Sequence, residues 1–142
     1  MKIKNLIFAL ILFSFGMNAQ NDEEIDIILA DIPPIAFGCN PNMDDAELRN
    51  CLQITITKNI VDNLNFDIIE NQKLPSGNYK IWAFFNINKR GKIKIKNIDF
   101  DNKAINTEIE RVLKLINTMT PAYYNEKPVI IKYVIPIKFN IG

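Results

Sequence analysis

The chain has 142 residues, of which 48% are hydrophobic and 23% charged, a composition typical of one folded domain. Its 17 basic and 16 acidic residues give a net charge of +1, which offers no global support for a nucleic-acid partner. Histidine is absent, so the usual general base and the commonest zinc ligand are missing. We therefore expect no enzyme, and we assign no catalytic residue, cofactor or metal site.

The first 19 residues have the pattern of a secretory signal peptide. Basic residues 1–4 precede a short apolar run at 6–15, and small residues follow at Gly16 and Ala19. The run is shorter than the roughly 20 residues that a membrane helix needs. We predict cleavage after Ala19, with cleavage after Gly16 as an alternative, and export as a soluble protein. An uncleaved segment would instead anchor the chain in the inner membrane.

Residues 20–32 are polar and acidic and are predicted to be a short solvated leader to a domain at 33–142. Residues 32–39 contain two prolines, which favour an extended segment. Asp44 and Glu47 then have the spacing of a capping box that opens a helix. One side of that helix is apolar as far as Leu64. A polar, poorly helical stretch at 63–71 and a turn at 73–78 follow.

The two cysteines, Cys39 and Cys51, lie on either side of this helix start. Export to an oxidising compartment favours a disulfide bridge between them. The alternative is a pair of buried free thiols, and a metal site would lack further soft ligands. A bridge would pin the extended segment against the apolar side of the helix by closing a short loop.

Residues 79–98 predict a β-hairpin. Residues 79–87 are rich in β-branched and aromatic side chains and lead into the turn 88–91, where Gly91 can take a positive φ. Residues 92–96 alternate between Lys and Ile, as in a strand with one buried face. The alternation changes phase at Asn97, so we expect a β-bulge or the end of the strand there.

A helix and a long strand complete the chain. Asp101 or Asn102 would cap the helix and Thr120-Pro121 would end it, and its apolar residues recur at helical spacing: Ile105, Ile109, Val112, Leu113 and Ile116. From 129 to 141 every odd position is apolar, while the even positions include two lysines and Pro136. Proline and lysine are typical of an edge strand.

These elements predict an α+β fold. An N-terminal helix precedes a β-β-α-β unit, which forms a small three-stranded antiparallel sheet packed by helices. The odd positions of the last strand should face the core beneath the second helix.

A set of short motifs occurs in a characteristic order: Phe37-Gly38-Cys39, residues 44–52, Gly77 ahead of 79–87, the turn 88–91, residues 110–116 with Met119 and Pro121, then 127–129 and 133–139. Together they resemble the C-terminal domain of TonB-type energy transducers, in the form with paired cysteines found in Bacteroidetes-like bacteria. The resemblance covers residues 33–141.

The resemblance implies a periplasmic α+β module whose last strand offers its edge to a TonB-box-like peptide of an outer-membrane transporter, which adds a strand. That role would fall to seven consecutive residues: Tyr133, Val134, Ile135, Pro136, Ile137, Lys138 and Phe139. Its place would be TonB-dependent transport or its regulation, with a homodimer as an option and no nucleic-acid partner. Membrane contact is expected only if the N-terminal segment stays uncleaved. Residues 20–32 span at most about 40 Å when fully extended. This length is too short for the long linker with which such transducers cross the periplasm.

Three groups of residues have both a functional and a structural interpretation. Trp82 and Phe84 could form an exposed platform, but we favour packing beneath helices on the second sheet face. The lysines of 92–96 could hold phosphate or lipid headgroups, but we favour a solvated face. The acids at 44–45 and 99–101 are interpreted as helix caps and not as catalytic pairs.

The second function considered is a secreted small-ligand-binding or thiol-dependent α+β protein, with Cys39 or Cys51 reactive. It lacks a histidine partner and a Gly-rich phosphate loop, so we favour the binding module.

Overall fold

The computed structural model of the protein describes residues 22–142, in which helices pack on one face of a mixed β-sheet. The predicted signal peptide at 1–19 lies outside these residues. The elements in chain order are β1 (Glu24–Asp26), a 3-10 turn (Ile27–Leu29), α1 (Asp45–Asn63), α2 (Phe66–Glu70), β2 (Gly77–Ile87), β3 (Ile93–Asp99), α3 (Lys103–Lys114), β4 (Ala122–Tyr124) and β5 (Lys127–Ile141).

The sheet is built around β5 and β2. Its order is β1-β5-β2-β3, and β4 pairs with the start of β5. β2 and β5 are antiparallel with unbroken register from Gly77 opposite Ile141 to Ile87 opposite Ile131. β3 is antiparallel to β2, whereas β1 is parallel to β5. The α+β class is thus confirmed, but the sheet has five strands of mixed direction and not three antiparallel ones.

The hairpin of β2 and β3 has the predicted turn and the predicted bulge. Gly91 has a φ of 77°, and its N–H donates to the Asn88 carbonyl at 2.9 Å. The register shifts between Phe84 and Phe85, opposite Lys96, which is where the Lys/Ile alternation changes phase. Because the bulge rotates the strand, Ile98 returns to the core with 8% exposure.

The two long helices begin at side-chain caps. Asp44 and Glu47 form the predicted capping box of α1, with reciprocal bonds of 2.8 and 3.1 Å. Asn102, and not Asp101, caps α3. α3 ends at Lys114, before Thr120-Pro121, because the next residues pair elsewhere: Met119 donates to the Gly91 carbonyl at 3.0 Å.

The polar stretch after α1 contains a helix that its composition does not predict. Asn65 caps α2, and the Phe66 ring packs edge-on against the Phe139 ring with 6.2 Å between the ring centroids. Ile69 is buried at 1% exposure. Tertiary packing therefore overrides the weak local propensity of this segment.

The expected solvated leader differs in the structure. Its residues 24–26 pair with β5, and Ile25 is buried. The proline segment is extended as predicted, with bridges from Ile32 to Tyr123 and from Ile35 to Thr120. This backbone pairing ties the N-terminal segment to the connection between α3 and β5.

The core lies between the sheet and the helices. Odd-numbered residues of β2 and β5 point into it, and it also contains apolar residues of α1 and α3, among them Leu52, Ile56, Ile81, Phe85, Ile109, Val112, Ile135 and Ile137. The predicted orientation of β5 is confirmed. We call the opposite side of the sheet the helix-free face; it carries the even-numbered residues of β2 and β5.

Candidate functional site

The predicted binding strand, β5, has two different edges. Its inner edge pairs with β2 over 131–141. Its outer edge pairs with β4 over 127–129 and with β1 over 130–132. Among residues 22–142, no strand pairs with the outer edge over 133–141. We call this stretch the open edge, and all seven predicted site residues lie in it.

The open edge is long enough for a peptide strand. Nine residues at about 3.3 Å each span roughly 30 Å. The prediction of an edge strand is therefore correct for this half of β5, whereas β4 and β1 cover the first half. No sequence pattern predicts this cover, because β1 lies in the segment expected to be solvated and β4 has only three residues.

Backbone groups on the open edge alternate between the two sides of β5. In an antiparallel ladder each residue directs its N–H and C=O to one side, and successive residues alternate. Pro136 has no N–H, yet the register with β2 runs unbroken through it, so its nitrogen faces outward. Val134 and Lys138, two residues to either side, therefore present their backbone groups at the open edge.

Side chains at the open edge are held firmly. The Phe139 ring stacks on Tyr79 with 5.2 Å between centroids, and the Tyr133 ring packs against Phe85 at 5.3 Å. Burial raises the pKa of the Tyr133 hydroxyl. Because the partly buried Tyr133 and Phe139 rings pack against the core, the edge backbone is preorganised for pairing.

Helix α1 runs beside the open edge and forms a groove with it. The groove has a volume of about 270 Å³ and is lined by Gln53, Thr57, Ile60 and Val61 of α1 and by residues 135–138 of β5. Val61 is 71% exposed. Among residues 22–142, Lys138 is the one charged residue in this lining, so the groove suits an apolar or neutral side chain. The helical periodicity showed the buried side of α1 but not that its flank borders β5.

The covered half of the outer edge is held by charge and amide contacts. Glu24 of β1 accepts from Asn86 Nδ2 at 2.7 Å and forms an ion pair with Lys96 at 3.2 Å. The hydrogen bond from Asn86, and to a lesser extent the contact with Lys96, holds the pKa of the Glu24 carboxylate below its usual value. β1 therefore marks where the open edge begins.

The disulfide between Cys39 and Cys51 is present, as predicted, with 6.2 Å between the Cα atoms. It joins the extended segment to α1, and Cys39 is buried. Since these are the two cysteines of the chain, neither is free to act as the reactive thiol of the alternative function.

The favoured interpretation of the sheet aromatics is wrong. Trp82 and Phe84 lie on the helix-free face and are 38% and 41% exposed. The helices of residues 22–142 pack on the opposite side, and no element of this range covers the two rings. Lys94 and Lys96 are exposed on the same face, as expected.

The capping prediction is confirmed for the first acidic pair and wrong for the second, because Asp99 is the last residue of β3. Asp44 is a helix cap, while Asn102 takes the capping role expected near Asp101. Within residues 22–142 there is no group of three or more metal-ligating side chains. No helix of that part of the chain is long and apolar enough to cross a bilayer.

The fold and the edge together define a mixed α/β domain with a partly open strand beside a helix. Comparison with family models, curated proteins and solved structures finds no match to the chain.

Proposed function

We propose that the protein is a binding module that captures an extended peptide by strand addition at the open edge of β5. The observation that carries this proposal is the unpaired outer edge over 133–141 beside the groove of α1. Main-chain hydrogen bonds would supply affinity, and alternate side chains would supply selectivity.

The groove indicates the character of the peptide. One row of its side chains would face Thr57 and Val61 of α1, which favours small apolar or neutral residues. The other row would lie near Val134 and Lys138 on the helix-free face, where an acidic or apolar residue is complementary.

We further propose a TonB-like role in the periplasm, with the peptide supplied by an outer-membrane transporter. The support is the sequence resemblance over 33–141 together with the open edge at the same seven residues. The disulfide is consistent with export to an oxidising compartment. The open edge is also the surface through which two copies would pair. The same experiments therefore measure whether the protein forms a homodimer.

The test uses proline to remove single edge amides. Val134→Pro and Lys138→Pro each delete an outward N–H while leaving the β2 ladder intact. The parent and each variant are titrated with a labelled TonB-box-like peptide. A lost main-chain hydrogen bond of about 1 kcal/mol should weaken binding roughly fivefold per site. Light scattering shows whether free protein occupies the edge with a second copy.

Two controls separate the edge from its side chains. Lys138→Ala keeps the amide and should bind within about twofold of the parent, since exposed charges contribute little. A peptide with a central proline should bind more weakly than its parent peptide. If both folded proline variants bind like the parent protein, strand addition at β5 is excluded.

A further inference from the structure

The helix-free face of the sheet carries an apolar centre between two basic rows. On neighbouring strands Trp82 lies directly opposite Pro136, and Phe84 lies opposite Val134. Trp82, Phe84 and Val134 are 38%, 41% and 44% exposed. Four neighbouring side chains therefore expose apolar surface to water. Such exposed surface does not stabilise the folded domain and is typical of an interaction site.

Lysines flank this centre along the strands. At one end Lys80 lies directly opposite Lys138. At the other end Asn86 lies between Lys132 of β5 and Lys94 of β3. Within residues 22–142 none of these four lysines forms an ion pair. This face also carries three acids: Glu24 is paired with Lys96, Asp26 of β1 lies opposite Lys132, and Asp99 of β3 lies opposite Trp82. The five lysines of the face, the four above and Lys96, still outnumber these acids.

The Lys80–Lys138 pair is unfavourable for the fold alone. Like charges directly opposite on one sheet face destabilise strand pairing. An anion placed above the two ammonium groups would relieve this repulsion. The arrangement therefore indicates an anionic partner in addition to an apolar one.

We propose that the helix-free face docks on the surface of an anionic phospholipid bilayer. Trp82 and Phe84 would enter the boundary between headgroups and acyl chains, which accepts aromatic rings with one wet side. Lys80, Lys132 and Lys138 would contact lipid phosphates, with their aliphatic stems lying along the apolar centre.

A bilayer fits this face better than a single-stranded nucleic acid does. Base stacking needs an open ring face, but Lys80 Nζ lies 5.4 Å from the centroid of the Trp82 ring, above it. Val134 and Pro136 are aliphatic and offer no stacking surface, whereas a bilayer accepts them. The docking face meets the open edge at the side chains of Val134 and Lys138, but it uses side chains normal to the sheet and leaves the outward backbone of β5 free.

Trp82 makes the proposal directly testable, because it is the single tryptophan of the chain. The full chain is titrated with phosphatidylcholine vesicles that contain about 30% phosphatidylglycerol, and with phosphatidylcholine vesicles alone. The anionic vesicles should shift Trp82 emission to the blue, and brominated acyl chains should quench it. Added salt should reverse both effects. Trp82 emission and quenching report on the helix-free face even if residues 6–15 also bind lipid.

Charge variants supply the matched comparison. Lys80→Gln combined with Lys138→Gln should lower affinity for the anionic vesicles about 25-fold, at roughly fivefold per lysine. Lys58→Gln combined with Lys103→Gln removes two charges from the helices and should leave affinity within about twofold. The first pair should unfold at the same temperature as the parent or higher, because it removes like-charge repulsion.

Three results would each overturn the proposal. In the first, anionic vesicles leave Trp82 emission and quenching unchanged. In the second, the two double variants bind anionic vesicles equally well. In the third, a single-stranded oligonucleotide or an acidic polypeptide shifts Trp82 emission while vesicles do not.

Discussion

Gly91 lies where the backbone has both a left-handed conformation and a close neighbour. Its φ is 77°, and an added Cβ would lie 1.6 Å from the Met119 carbonyl oxygen. Gly38 has a similar φ of 87°, but an added Cβ there meets nothing within 4 Å. Substituting each glycine therefore distinguishes the effect of backbone strain, which is present at both positions, from that of steric overlap, which is present only at Gly91.

Gly91→Ala should destabilise the protein by about 3 kcal/mol or more, because left-handed strain and a backbone clash add. Gly38→Ala should cost only about 1 kcal/mol, the strain alone. Urea unfolding of both variants measures the difference. If the free energy of unfolding falls equally in the two variants, the backbone at Met119 moves away from the added methyl group without an energetic penalty.

Glu108 is the buried charge that joins the helices. Its side chain is 3% exposed and accepts the Asn65 N–H at 3.1 Å. Arg111 donates from Nε to both carboxylate oxygens at 3.0 and 3.1 Å, and from Nη2 to the Asn63 carbonyl at 2.9 Å. The pair thus ties α3 to the junction of α1 and α2.

Arg111→Met should destabilise the fold, because it leaves the Glu108 carboxylate without its counter-charge. Arg111→Lys keeps the charge but not the two-pronged contact, so it should cost less. Thermal unfolding at neutral pH measures both. A loss from Arg111→Lys equal to that from Arg111→Met would mean that geometry, and not charge, dominates.

The same pair predicts how stability depends on pH. Hydrogen bonding to Arg111 holds the pKa of Glu108 below its usual value of 4.5. The folded protein therefore binds fewer protons than the unfolded chain, and the stability that Glu108 contributes is fully present above about pH 4.5. It is lost as pH falls through the folded-state pKa. Glu108→Gln should flatten this part of the stability profile in urea titrations, and an unchanged slope would contradict the assignment.

At the scale of elements, α1 combines two roles. Its buried side packs on the core, while Val61 on its flank lines the groove beside the open edge. Ile54 is also exposed, at 57%, but it lies outside this groove. These two aliphatic residues form a natural pair of test and control.

Val61→Lys should weaken peptide capture about tenfold, because it removes apolar contact of roughly 1–2 kcal/mol and narrows the groove. Ile54→Lys should change affinity by less than about twofold. Both variants should fold, since both side chains face water. The groove has no part in binding if the two variants lose affinity equally in titrations with the same peptide.

At the scale of the whole molecule, one strand serves two proposed surfaces. β5 offers its outward backbone to a peptide and its even side chains to a bilayer, and its odd side chains hold it in the core. Because the two surfaces point in different directions, a bound peptide and a bound bilayer are compatible. The module would thus sit flat on a membrane while its open edge stays accessible.

Export is the prediction that belongs to the intact chain. The protein in a periplasmic extract should begin at Gln20 and retain the disulfide, so its unreduced mass should match cleavage after Ala19 with two hydrogens removed. A high-salt wash should release any membrane-bound fraction, because docking through lysines is screened by salt. Intact Met1 in salt-washed inner membranes would show an anchored protein and contradict cleavage.

Local patterns predicted those features that depend on near neighbours in the chain. The capping box of Asp44 and Glu47, the Gly91 turn and the bulge opposite Lys96 each follow from a few adjacent residues. The alternation of β5 predicted its buried face because side-chain direction has a period of two. The disulfide followed from two cysteines and an export pattern.

By itself, the sequence thus determined the α+β class and the facing of the last strand, and it predicted an edge at the end of the chain. Only the tertiary structure decided how much of that edge is open, because β1 and β4 are too short to have a pattern and exist through pairing with β5. It also decided that Trp82 and Phe84 are exposed, since an aromatic side chain is buried only where another element covers it, and the helices of residues 22–142 pack on the opposite face.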